Sequence, residues 1–67
     1  MQAKDLLKMK IRWMERRPAS WEAEINGVLC TLEMNDFPDE PMYTVRVGNS
    51  HVDLDDRPTC WTLEGLA

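Results

Sequence analysis

Trp21-Glu22-Ala23-Glu24-Ile25-Asn26-Gly27-Val28-Leu29-Cys30-Thr31-Leu32-Glu33-Met34 is the stretch whose reading decides most of the fold. Asn-Gly is the preferred pair for a two-residue type I′ turn, because both central residues must adopt positive φ. A turn there sets Ile25 opposite Val28, Ala23 opposite Cys30 and Trp21 opposite Leu32. All six side chains then share one face. Glu22, Glu24, Leu29, Thr31 and Glu33 take the other. A slip of one residue would bury the glutamates, so turn chemistry and alternation specify the same register.

Working outward towards the C-terminus, Asn35-Asp36-Phe37-Pro38-Asp39-Glu40-Pro41 carries two prolines among Asn and Asp and reads as a structured loop. Phe37, its one apolar side chain besides the prolines, is expected to anchor it by packing inward. Residues 42–56 read as a second hairpin. A turn at Asn49-Ser50 sets Val47 opposite Val52 and Val45 opposite Leu54, with Arg46 meeting Asp53 on the far face as a cross-strand charge pair. Asp56-Arg57-Pro58 ends that strand, and Cys60-Trp61-Thr62-Leu63 is a short last strand or a packed tail.

Working outward towards the N-terminus, residues 4–17 support two readings. Leu7, Met9, Ile11 and Trp13 alternate with Lys8, Lys10 and Arg12, which is a strand pattern. Leu, Lys, Met and Arg are also good helix formers, Asp5 and Arg16-Arg17 suit the two ends of a helix dipole, and Pro18 would stop it. A sheet with one apolar face needs a cover, and a helix supplies one. The expected fold is therefore α+β, an N-terminal helix packed on an antiparallel meander of about four strands. The alternative is an all-β five-stranded sheet or small barrel. The whole chain, 1–67, is expected to be a single domain: basic segment 4–17, hairpin 20–34, loop 35–41, hairpin 42–56 and tail 57–67.

The chain has 67 residues, and a domain of that size has a thin stability margin and little room for a deep enclosed site. Charge is divided unevenly. Residues 1–17 hold six Lys and Arg against two acids, and residues 18–67 hold two Arg against ten, for a net −4. An acidic body repels phosphates, which disfavours nucleic acid over most of the surface. No apolar run is long enough to span a bilayer or to form the core of a secretory signal, so the expected location is cytoplasmic. In that compartment Cys30 and Cys60 are expected as free thiols. The oligomeric state is open.

Candidate chemistry is sparse. His51, Asp53 and Asp55 share one strand face, but same-face neighbours lie about 6.5–7 Å apart, which suits a solvated surface better than a metal site. The single histidine points away from Cys30, Ser20 and Ser50 lack an elbow motif, and the glycines form no phosphate loop. No catalytic residue, metal ligand or cofactor is assigned. Trp61 has no firm structural assignment: core packing is its first reading, and tryptophan is also enriched where partners bind. Leu29 interrupts a polar face, and Asp39 and Glu40 belong to an acidic loop. Trp61, Leu29, Asp39 and Glu40 are therefore the candidate partner contacts. The expected function is a small non-enzymatic protein-binding module, of the kind that serves as regulator, inhibitor or subunit of a larger assembly. The alternative is binding of nucleic acid or an anionic surface through the basic segment.

Overall fold

The computed structural model describes residues 1–65. A 3₁₀ helix, Ala3–Lys8, precedes six strands: β1 (Ile11–Arg17), β2 (Ser20–Ile25), β3 (Val28–Met34), β4 (Tyr43–Val47), β5 (Ser50–Leu54) and β6 (Trp61–Leu63). They form one curled sheet, a half-barrel, in the order β5-β4-β3-β2-β1-β6. Neighbours run antiparallel except β1 and β6, which are parallel. Of the expected tail 57–67, residues 66 and 67 lie outside the described residues.

The first hairpin has the register its sequence dictates. Ile25 pairs with Val28, Ala23 with Cys30 and Trp21 with Leu32. Asn26 and Gly27 have φ of 53° and 79°, the double positive φ of a type I′ turn. The second hairpin turns one residue earlier than expected. Gly48 and Asn49 form the turn, with Gly48 at φ 57°, so Val47 pairs with Ser50, Val45 with Val52 and Arg46 with His51. Positive φ at the first central position is the type II′ requirement, and glycine meets it at no steric cost. The partner of each residue on the opposite strand moves by two, so the faces are kept while every cross-strand partner changes. The expected Arg46–Asp53 pair is not formed.

The expectation of an N-terminal helix on four strands is overturned. Among the described residues only Ala3–Lys8 is helical, and Ile11–Arg17 is a strand in the interior of the sheet. Ile11 and Trp13 point into the core while Arg12 and Met14 point out, which is the period-two alternation. Helix propensity differs among these residues by only a few tenths of a kcal/mol each, and pairing with both β2 and β6 outweighs it. Pro18 begins the β1–β2 turn instead of ending a helix, and Ala19 takes the positive φ of 65° at its second position. The strand count also exceeds the alternative's five, because Trp61–Leu63 adds to the free side of β1.

The 3₁₀ helix packs against β5 and β4 on the inner side of the sheet and reaches β6 through one indole. Its backbone Ala3 N–H donates to Ser50 Oγ on β5 at 2.9 Å, and its Leu6 carbonyl accepts from Trp61 Nε1 on β6 at 2.9 Å. Three residues per turn bring Ala3 and Leu6 to the same side, and both are fully buried. They join Ile11, Trp13, Trp21, Cys30, Leu32, Tyr43, Val45, Val47, Trp61 and Leu63 in one core. Trp13 and Trp61 meet edge to face, ring centroids 5.3 Å apart, an arrangement worth about 1 kcal/mol beyond the area it buries. Trp21 Nε1 donates to the Glu64 carbonyl at 2.9 Å, holding the chain just after β6. Trp13 Nε1 is the buried side-chain donor left without a partner among the described residues, a cost of about 1–3 kcal/mol.

Candidate functional site

Loop 35–41 is a built platform. Asn35 donates from Nδ2 to the Pro41 carbonyl at 3.0 Å and to Thr44 Oγ1 at 2.8 Å. Its backbone N–H donates to the Met42 carbonyl at 2.9 Å, so one side chain and one amide close the neck of the loop. Thr44 Oγ1 in turn donates to Asp53 Oδ1 at 2.9 Å, which ties the neck to β5. Within the loop the Glu40 N–H donates to the Asp36 carbonyl at 2.9 Å, and Glu40 Oε1 accepts from the Asp36 N–H at 3.3 Å.

On this platform Phe37 points outward. It is 55% exposed, contrary to the expected inward anchor. The reason is compositional: its neighbours are Asp36, Pro38, Asp39 and Glu40, all exposed, and nothing among them can cover a ring. Asparagine does the anchoring that the aromatic was expected to do. The sequence held the signal in the density of acids around Phe37, which leaves no apolar surface for it to pack on.

The four candidate contacts are not brought together. Trp61 is 4% exposed and spends its indole N–H on Leu6, so it offers a partner almost no surface. Leu29 is 56% exposed on the outer face, beside Glu24 near the hairpin tip. Asp39 and Glu40 are exposed in the loop at the other end of β3. A seven-residue strand separates the two ends by roughly 20 Å. The topology also brings Asp55 and Asp56, which follow β5, to the loop's end of the sheet, because Leu54 pairs with Tyr43 at the start of β4.

The basic segment is divided between the 3₁₀ helix and β1. Arg12 Nε and Nη2 donate to Glu64 Oε2 at 3.1 and 2.8 Å, and Arg16 lies 3.5 Å from Glu22. His51 is exposed opposite Arg46, and Asp53 is engaged by Thr44. No group of three or more His, Cys, Asp and Glu side chains converges as a metal site among the described residues. Cys30 and Cys60 are free thiols. Burial pushes the Cys30 thiol above its ordinary pKa, because the thiolate would be desolvated. Cys60 Sγ donates to the Leu7 carbonyl at 3.5 Å. No helix among the described residues is long and apolar enough to cross a membrane. Comparison with protein-family models, with curated proteins and with solved structures finds no match for this chain.

Proposed function

We propose that this protein is a non-catalytic protein-binding module whose contact surface is loop 35–41. The observation that carries the reading is Phe37, an exposed aromatic side chain on a hydrogen-bonded loop whose exposed neighbours in sequence include Asp36, Asp39 and Glu40. A rigid aromatic anchor within a charged rim is the arrangement in which few residues supply most of the binding energy. The fitting partner has an apolar pocket large enough for a phenyl ring and Lys or Arg around its mouth. The neck supports this role, because a loop already closed by Asn35 has little conformational entropy left to lose on binding.

The test is site-specific photo-crosslinking in the native cell. A benzoylphenylalanine at position 37 is compared with one at Glu24, which is exposed away from the loop. A protein captured from position 37 alone is then purified and its affinity measured for the parent chain and for Phe37→Ala. An anchor of this kind predicts a loss of about thirtyfold, with the fold unchanged. Equal affinity for the two chains, or capture only from Glu24, refutes the assignment.

A further inference from the structure

The sheet has two edges, and they differ. β6 is three residues long, whereas β5 runs five residues without proline, has among the described residues a strand only on its β4 side, and meets the 3₁₀ helix through the inward side chain of Ser50, not through its outward backbone. The hairpin fixes which backbone groups of β5 face outward. A two-residue turn at Gly48-Asn49 makes Val47 and Ser50 the first pair to exchange both backbone hydrogen bonds. Alternation then gives the same status to Val45–Val52 and Tyr43–Leu54. His51 and Asp53 therefore turn their N–H and C=O groups away from β4. Neither residue makes a backbone bond elsewhere among the described residues. Such a row is a ready template for another strand.

Few registers suit a second copy. Only His51, Asp53 and their odd-numbered neighbours have outward backbone groups, so an antiparallel partner shifts in steps of two. An axis through His51 sets that residue against itself and leaves Asp53 opposite Asn49. An axis through Asp53 sets two carboxylates face to face, which is repulsive. An axis through Val52 sets His51 opposite Asp53 of the second copy, twice by symmetry. Each of those pairs exchanges two backbone hydrogen bonds and joins an imidazole to a carboxylate on the outer face. Val52 meets its own copy on the inner face, where it is half-buried.

We propose that the β5 edge is a self-association surface, on which two copies pair antiparallel about Val52 into one continuous sheet. The surface is isologous, so it closes as a dimer and does not propagate. It touches loop 35–41 only through Asp53, whose Oδ1 accepts from Thr44 at the loop's neck, and the loop itself, at the end of the sheet, stays available.

Sedimentation equilibrium from low micromolar to submillimolar concentration tests this, on the parent chain and three variants. The parent is expected to dimerise. His51→Pro removes an amide that faces away from β4, so the hairpin ladder survives, and the dissociation constant rises about thirtyfold from two lost bonds. His51→Asp sets carboxylates opposite each other and dissociates the dimer. The exchange His51→Asp with Asp53→His restores the opposed pair and recovers association. Tryptophan emission reports whether each variant is folded. A parent chain monomeric throughout, a dimer indifferent to His51→Pro, or an exchange variant that stays as dissociated as His51→Asp overturns the proposal.

Discussion

Leu6→Ala asks whether the N-terminal segment is part of the fold or an arm laid on it. Leu6 is fully buried on the 3₁₀ helix, which is bonded to Ser50 of β5 and to Trp61 of β6 on the inner side of the sheet. The substitution leaves the backbone bond from Trp61 to the Leu6 carbonyl available, so the loss is one of packing. Removing a buried leucine side chain costs about 2–5 kcal/mol, depending on how far the site collapses. A 67-residue domain has a total stability of roughly 3–10 kcal/mol. A central value near 3 kcal/mol is then a large fraction of the whole, and lowers Tm by about 12–24 °C. Urea denaturation followed by tryptophan emission reads it directly, since Trp13, Trp21 and Trp61 are all buried and report on the same core. Leu7→Ala, at a half-buried neighbour, should cost clearly less. A Leu6→Ala chain within about 0.5 kcal/mol of the parent, the range of an ordinary surface substitution, would mean that this helix is an arm laid on the core and not part of it.

Two further outcomes follow from the backbone and the thiols. Ala19 holds φ of 65° in the β1–β2 turn, a conformation costing a non-glycine residue about 1–2 kcal/mol. Ala19→Gly relieves that cost and adds unfolded-chain entropy of somewhat smaller size, so the midpoint in urea should rise, by about 0.5–1 kcal/mol in stability. In the native protein an aromatic disulfide reagent should titrate the half-buried Cys60 first and reach Cys30 only on unfolding. Because the folded pKa of Cys30 is raised, the unfolded chain loses its proton first as pH increases. Stability is therefore expected to fall as pH rises past the ordinary thiol value of about 8.5. A midpoint compared at pH 8 and above pH 9 in the parent and in Cys30→Val reads the thiol's share.

The sequence was legible where turn chemistry and alternation agreed. Asn26-Gly27 admits one turn type, and its two flanks alternate in phase, so every pair of that hairpin could be read in advance. In the second hairpin Gly48, Asn49 and Ser50 all tolerate turns, and moving the turn by one preserves the apolar face. Burial could not choose between the registers, and the positive φ that only Gly48 takes there decided it. The segment around Ile11 and Trp13 shows a period of two, but its residues are also helix formers, so local pattern and local propensity disagree. What decided it is non-local: β6 lies far along the chain, and no window around Trp13 contains it. The same distance hid the role of Trp61, which looked unassigned until Leu6 and Trp13 were brought against it. Of the contact candidates, exposure at Leu29, Asp39 and Glu40 followed from pattern and composition. Phe37 does not follow from its residue type, because an aromatic ring packs inward only where it finds cover and this loop has none.

The parallel pairing of β1 with β6 has a consequence for the order in which the molecule can be completed during its synthesis. The bond from Trp61 to Leu6 spans 55 residues, while the strands from β1 to β5 meet through short turns or one eight-residue connection. A chain emerging from the ribosome can close its hairpins as they appear, but Leu6, Ile11 and one flank of Trp13 stay uncovered until the last strand arrives. Every nascent chain shorter than that strand carries an open, apolar edge, the kind of surface that recruits other unfinished chains. The exposed stretch at Asp55–Arg57, just ahead of β6, is correspondingly the place where a single proteolytic cut would do the most harm. It would leave five strands intact in sequence and return the core to the condition of the unfinished chain.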